Sequence, residues 1–355
     1  MTERLPMSDA LFTPIPTRWV GPLLLSGEVE GEQSVPLATY ESPLWPSVGR
    51  GARVSRLVAG GIRTTVVDER MTRSSLFVAP SAADAVAAAR SIEARRDELE
   101  AVVSERSRHA RLIDLDTEIV GHLLFVRFAL TTGDASGHNM VTLAAEGLME
   151  RVLVWHPELE YGSISGNYCS DKKATAVNGI LGRGRSVIAE ILIPADIVEQ
   201  QLRSTARRIV ELNVRKNLVG STIAGALRSA NAHYANMLLA FYLATGQDAA
   251  NIVEGSQGIT YAEERGDGDL LFSCTLPNLI VGTVGNGKDL PAVEDALERL
   301  GCREERAPGG NARRLASLIA ATVLCGELSL LAAQTNQGEL MASHLLLERR
   351  QGGAK

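Results

Sequence analysis

Ser165-Gly166-Asn167-Tyr168-Cys169-Ser170-Asp171-Lys172-Lys173 places one carboxylate beside two ammonium groups, directly after a loop of Gly, Asn and Ser. Charges set that close in an otherwise apolar sequence suit an anionic or polarised ligand, or a catalytic lysine. Two further polar islands lie far along the chain. Gly246-Gln247-Asp248 ends a long apolar segment, and Ser343-His344 stands near the terminus. Lys, Asp and His in separate islands are the pattern of a site assembled from distant segments.

The 355 residues are enough for two domains, or for one domain with an insertion. Hydrophobic residues at 45% and charged residues at 22% are ordinary for a globular chain. Aromatics at 4% and 33 glycines predict a tightly packed core of Leu, Val and Ala. The formal charge of -6 argues against a nucleic-acid binder, although local basic clusters still set the field an anionic ligand feels. Cys169, Cys274, Cys302 and Cys325 are widely spaced without CxxC pairing, so buried thiols are predicted rather than a metal site or a disulfide frame. The N-terminus lacks the basic-then-apolar order of a signal peptide. The apolar run Leu315 to Leu331, broken by Ser, Gly and Glu327, reads as short of a membrane span. The expectation is a cytoplasmic protein with no membrane or nucleic-acid partner.

Outward from the charged island, the first segment to about Thr72 reads as loops and short strands. Ala82 to Arg108 is helical by its Ala-rich periodicity, Ile119 to Leu130 is β-prone, and Thr131-Thr132-Gly133-Asp134 is a turn. A helix from Ala135 to about Trp155 follows from the spacing of Met140, Leu143, Ala144, Leu148 and Val152. The mixed block from about Ser74 to Gly162 therefore reads as an inserted α+β domain. Ser186 to Pro194 reads as a strand, and Ala195 to Val214 and Val219 to Thr245 as helices. Gly258 to Gly287 reads as strands with a turn at Gly285-Asn286-Gly287. Asn311 to Gln334 is an apolar helix, and Leu340 to Arg350 a shorter one.

Residue by residue, structural readings stand beside functional ones. Asp134, beside Gly133 and Gly137, suits a helix start, where unpaired N–H groups bind phosphate and where a carboxylate equally serves as a cap. No GxGxxG follows a strand, so a Rossmann reading lacks support. Arg183 and Arg185 suit phosphate binding or a solvated loop. Lys172 and Lys173 suit oxyanion stabilisation or a surface ion pair with Asp171. Asp248 follows Gly246, a natural helix C-terminus, so turn chemistry also explains it. His344 has the reference pKa of a general acid, although a lone terminal His is commonly a packed surface residue.

Taken together and in order, these segments resemble the 3-hydroxy-3-methylglutaryl-CoA (HMG-CoA) reductases. The resemblance runs from about Gly21 to Arg349. It rests on Thr131-Thr132-Gly133-Asp134-Ala135, on Ser165 to Lys173 continuing to Gly182-Arg183-Gly184, and on Lys216-Asn217-Leu218-Val219-Gly220-Ser221. It continues in Asn231-Ala232-His233, Gly246-Gln247-Asp248 and Gly326-Glu327-Leu328-Ser329-Leu330. The Thr-Thr-Gly-Asp and Asp-Lys-Lys forms are similar to the NADPH-using, biosynthetic class.

The resemblance implies an α+β fold: a large helix-rich domain around a central helix, with an inserted small ferredoxin-like α/β domain that holds NADPH. The implied boundaries are 1–73 and 163–340 for the large domain, 74–162 for the small one, and 341–355 for a C-terminal helix and tail. It implies four-electron reduction of a thioester to an alcohol, giving mevalonate and CoA. Lys172 would stabilise the oxyanion, Glu41 would donate a proton to the aldehyde, and Asp248 would couple the two. His344 would protonate the departing thiolate, and Asn236 would orient the lysine and glutamate. Arg73, Ser165, Asn167, Asp171, Lys173 and Lys216 would bind substrate, and Asp134, Gly137, Asn139 and Met140 would fall in the cofactor loop. A homo-oligomer with its active site at the subunit interface is implied as well.

The chain departs from the family pattern at Ser42-Pro43-Leu44-Trp45-Pro46, where two prolines predict that no helix starts directly after Glu41 and so bear on the placing of Arg50. Ser136 and His138 replace the usual methionines of the cofactor loop. Two other functions compete: a reductase of the same fold working on another acyl-CoA or in the oxidative NAD-dependent direction, and a non-catalytic CoA-binding homologue. Retention of Glu41, Lys172, Asp248 and His344 together argues against the second.

Overall fold

The computed structural model describes residues 11–107, 109–342 and 345. The chain opens with β1 (Thr17–Gly27), β2 (Gly31–Ala38), α1 (Leu44–Leu57) and β3 (Ile62–Val78). It continues with α2 (Ala82–Ala94), α3 (Arg96–Arg106), β4 (Leu112–Val120), β5 (Leu123–Leu130), α4 (His138–Trp155) and β6 (Glu160–Ser163). Next come α5 (Ala176–Leu181), β7 (Gly184–Ile193), α6 (Ala195–Leu202), α7 (Ala206–Leu212), a π-helical segment Asn213–Gly220 and the short α8 (Ser221–Ile223). The last elements are α9 (Tyr234–Ala244), α10 (Ile252–Gly255), β8 (Ile259–Arg265), β9 (Asp269–Leu279), α11 (Pro291–Arg299) and α12 (Gly310–Gln334).

β3 organises the molecule. Its 17 residues, rich in β-branched types, reach roughly 55 Å when extended. The first half pairs with β1 and β7 in the sheet path β2-β1-β3-β7-β9-β8. The second half pairs with β5 and β6, and β5 pairs with β4, all antiparallel. The segment from β3 to β6 therefore runs β-α-β-β-α-β, with α2 and α3 together filling the first helical place, and has strand order β4-β5-β3-β6, the ferredoxin-like arrangement. Its own core gathers Phe77, Ile92, Leu99, Phe128 and Leu148. The larger core surrounds α12, from Leu23 and Val48 to Phe272 and Leu324.

α12 is apolar on nearly every side, which a helix tolerates only when it is buried all round or sits in lipid. It is long and apolar enough to cross a membrane, contrary to the reading of its interrupted sequence, but 94% of its most apolar stretch is buried inside this fold. α1 crosses it closely. A Cβ at Gly51 would stand 2.4 Å from the Cys325 backbone, so only glycine allows this approach. The carboxylate of Glu327, fully buried in α12, accepts hydrogen bonds from the main-chain N–H of Ala232 and His233, from His233 Nδ1 and from the Thr260 hydroxyl. All four cysteines are free and buried.

Three sequence expectations need correction. α1 starts at Leu44 despite Pro43 and Pro46, because the N–H groups of a first helical turn have no intrahelical acceptor and proline loses nothing there. The segment from Val219 to Thr245 is not one helix. After α8 it becomes a loop, with Gly225 and Arg228 at positive φ, before α9 begins. The strand expected over Ile119 to Leu130 is not one strand: Ile119 and Val120 end β4, Gly121-His122 is the turn, and β5 follows. Most of the expected helix Leu340 to Arg350, including Ser343 and His344, lies outside the described residues.

Candidate active site

A cleft of about 610 Å³ opens between the ferredoxin-like unit and the larger one. One wall is the loop entering α4, Ala135 to Met140. The other is built by Asp171, Lys172, the Gly246-Gln247-Asp248 turn and the segment Val284 to Lys288. Lys172 Nζ lies 2.8 Å from Asp248 Oδ2, with both side chains a little over two-fifths exposed. The hydrogen bond to Asp248 holds the Lys172 amine above its ordinary pKa. Burial pushes the Asp248 carboxyl up, but the Lys172 ammonium and the Ala250 N–H outweigh it and leave the group below its ordinary value.

The loop carrying Lys172 is bent by three non-glycine residues at positive φ: Asn167 at 62°, Ser170 at 53° and Lys172 at 56°. Each costs about 1–2 kcal/mol against the right-handed region, so the surrounding contacts must hold them. Asp171 faces Arg183 Nη2 at 2.7 Å and His138 Nε2 at 3.6 Å. Partial burial opposes ionisation of Asp171, yet these two partners draw its carboxyl well below the usual carboxylate range. Arg183 and Arg185 are both buried and bonded internally, Arg185 to the carbonyls of Gly133 and Val281, so neither is a free phosphate ligand or a solvated loop residue.

The remaining sequence-derived residues divide between several places. Arg73 on β3 lines the cleft and bridges Thr142 of α4 at 2.7 Å and Ser165 at 3.4 Å, while its buried Nε has no hydrogen-bond partner. Asn167 and Lys173 are exposed, and Lys173 Nζ donates to the Asp171 carbonyl. Lys216 is half-buried on the π-helical segment, where burial lowers its pKa against the pull of Glu327. Glu41 lies elsewhere. Its Oε2 accepts from Asn236 Nδ2 at 2.8 Å in a second cleft of about 350 Å³, shared with Arg50 and His233. Arg50 is held there by Glu339 at 3.1 Å. Within one chain, then, Lys172 pairs with Asp248 at one cleft and Glu41 with Asn236 at another.

The loop entering α4 is shaped by Gly137, which caps α4 at φ 93°, and a Cβ there would stand 2.3 Å from Thr132 Cγ2. Gly137, Asn139 and Met140 line the cleft. Asp134 behaves differently. Its two oxygens accept from the N–H groups of Gly309 and Ala312 at 3.2 and 2.9 Å, so it caps α12. Asp134→Ala is expected to lower stability by about 1–2 kcal/mol, read as a drop in thermal midpoint, with Asp134→Asn milder because it retains an acceptor. Unchanged stability in the alanine variant would contradict the capping role.

Sequence reading did not single out Glu254 or Lys288. Glu254 is fully buried beneath Lys172. Lys288 lines the cleft, donates to the Gly246 carbonyl, and is pushed down to about 8, chiefly by burial. The one sequence signal was a charge inside an apolar stretch, as in Ile252-Val253-Glu254-Gly255.

Residues 12–349 match the family model for hydroxymethylglutaryl-coenzyme A reductase. The reductase of Pyrococcus horikoshii is 46% identical over 338 residues, covering 94% of this chain and 81% of that protein. That of Aeropyrum pernix is 43% identical over 344 residues, covering 96% and 80%. Among solved structures, the class II 3-hydroxy-3-methylglutaryl-CoA reductase of Streptococcus pneumoniae, bound to NADPH in open conformations, superposes with a TM-score of 0.74. It is 21% identical and covers 93% of this chain and 87% of that one, a likeness of fold. With the family model spanning nearly the whole chain and relatives above 40% identity, the chain belongs to the hydroxymethylglutaryl-coenzyme A reductases, a family of oxidoreductases.

Proposed function

We propose that this protein reduces 3-hydroxy-3-methylglutaryl-CoA to mevalonate and free CoA, consuming two NADPH and two protons. The observation that carries the reading is the Lys172 ammonium, held 2.8 Å from Asp248 at a cleft whose opposite wall is the start of α4. An 18-residue helix presents unpaired N–H groups there, so the wall suits the phosphates of a dinucleotide, while Arg73 leaves a buried Nε without a partner for an anionic group of the substrate. Gly137, Asn139 and Met140 would hold the dinucleotide, and two molecules bound in turn would each supply one hydride.

Lys172 donates a hydrogen bond to the thioester oxygen and stabilises the oxyanion of the hemithioacetal after the first reduction. The C–S bond then breaks, and the thiolate takes a proton from His344. Lys172 next polarises the aldehyde, and Glu41, oriented by Asn236, gives the alkoxide its proton. Asp248 keeps Lys172 charged. Arg73, Ser165, Asn167, Asp171, Lys173 and Lys216 would receive the substrate's carboxylate and polar groups.

This chemistry requires Glu41 to meet Lys172, and within one chain they line different clefts. We therefore assign the complete site to a homodimer, with each chain giving one half. Exposed apolar side chains support this: Ile259 and Tyr261 on the edge strand β8, beside Val214, Leu218 and Ile223. Ala230 and Asn213 bond the start of that edge, so it is the exposed apolar surface that favours a partner. The test is NADPH consumption with HMG-CoA, other acyl-CoAs and NADH, with mevalonate identified as product. Reduction of another thioester alone, or a catalytically complete monomer by light scattering, would overturn the corresponding part of the reading.

A further inference from the structure

Two fully buried side chains, Glu254 and Arg183, lie behind the Lys172 loop, and Glu254 stands outside the segments that carry the family resemblance. Glu254, on α10, accepts from the main-chain N–H of Lys172 at 3.0 Å and from Asn251 Nδ2 at 2.9 Å, both at Oε1. Arg183 donates from Nη2 to Asp171 Oδ1 at 2.7 Å and from Nη1 to the Thr72 carbonyl and hydroxyl at 2.6 and 2.9 Å. Its Nε stands 3.8 Å from Glu254 Oε1. One guanidinium and one carboxylate thus grip consecutive residues, Asp171 by its side chain and Lys172 by its backbone. Neither lines the cleft.

We propose that Glu254 is a positioning residue: by accepting the Lys172 N–H it fixes the left-handed turn that aims the ammonium at Asp248, with Arg183 bracing both.

Lys172 has a Cβ and sits at φ 56°, so its preferred relaxation is toward negative φ, which would swing the side chain off its present line. A buried N–H is costly to leave unpaired, and Glu254 Oε1 is the acceptor that keeps the turn in place. A carboxylate is an expensive choice for plain packing, because apolar residues of similar volume usually replace buried ion pairs without loss. Burial raises the Glu254 carboxyl above its ordinary value, against the pull of its hydrogen bonds and of Arg183.

This inference rests on Lys172 acting in the reduction. Two variants separate the acceptor from the charge. Glu254→Asp keeps the charge beside Arg183 but is one methylene short of the Lys172 N–H. Glu254→Gln keeps the reach and an acceptor oxygen, while Arg183 stays neutralised by Asp171. A displacement of about 1 Å can cost about 10²-fold in rate. Glu254→Asp is therefore expected to lower kcat about 10- to 100-fold with KM nearly unchanged, and Glu254→Gln to stay within about 5-fold of the parent. In parallel, the acetylation of Lys172 by acetic anhydride, followed across pH by peptide mass spectrometry, should titrate at lower pH in the Asp variant than in the parent or the Gln variant, because the amine has left Asp248. If Glu254→Asp does not fold, Asn251→Ala, which frees the carboxylate to swing, should show a smaller change in the same direction. Equal damage in the Asp and Gln variants, or lost thermal stability with normal turnover and normal labelling, would overturn the proposal. A parent protein inactive on every thioester would remove the reductase reading and leave the labelling result to judge this one.

Discussion

Lys172→Met is expected to lower kcat by about 10³-fold while leaving the fold intact, the scale on which one removed oxyanion donor acts. Methionine nearly matches the length and volume of lysine, so what is lost is the charge and its donors. Stability should move little, because the Lys172–Asp248 pair is more than two-fifths exposed and such pairs contribute about 0–1 kcal/mol. The direction of the pKa shifts also fixes what the lysine can do. The hydrogen bond to Asp248 raises the amine, so it is an ammonium throughout neutral pH, fit to donate to an oxyanion and unfit to attack a carbonyl as a free amine. The sign gives a pH dependence. A group raised above its ordinary value keeps its paired form through the ordinary amine range and loses it only as pH climbs past the folded value. Asp248→Asn removes the carboxylate whose hydrogen bond is the main cause of that rise, so the alkaline fall in kcat should move to lower pH. A Lys172→Met enzyme within 10-fold of the parent at saturating substrate, or an alkaline limb unmoved by Asp248→Asn, would contradict this account.

How far the sequence carried the structure can be read from particular positions. The mixed block from Ser74 to Gly162 was legible because helix and strand periods alternate there, and the fold realises it as β-α-β-β-α-β on the second half of β3. That β3 also serves the larger sheet was not legible, since nothing in Ile62 to Val78 marks the point where its partners change. Proline read as a helix breaker misled at Pro43 and Pro46, because the rule holds for helix interiors and not for a first turn. Val219 to Thr245 read as one helix, yet Gly225 and Arg228 take the left-handed region and end it. The polar islands drew attention to Lys172 and Asp248, which the fold sets 2.8 Å apart. Glu254 escaped because its partner is a main-chain N–H 82 positions away, and a backbone donor leaves no mark on the residue that needs it. The separation of Glu41 from Lys172 is not written in the linear order of the motifs, and only the family resemblance, with its implied site at a subunit interface, allowed for it.

That separation gives the second large effect. Glu41→Gln removes the proposed proton donor yet keeps an oxygen for Asn236, and should cost about 10²- to 10⁴-fold in turnover, the range of general-acid catalysis. Mixed with Lys172→Met, the outcome depends on geometry. If both residues served a site within one chain, every site in the mixture would carry one lesion, and the mixture would stay as inactive as its parts. If each site takes Glu41 from one chain and Lys172 from its partner, a mixed dimer has one site with both lesions and one with neither. Random pairing by co-expression makes half the dimers mixed, so about a quarter of the parent activity should return, as the two-fold symmetry of such an assembly requires. Purifying the mixed dimer through two different tags should raise this to about half. A mixture that stays inactive after verified subunit exchange would place the chemistry within a single chain, and the 2.8 Å contacts of Lys172 with Asp248 and of Glu41 with Asn236 would then need some other means of meeting.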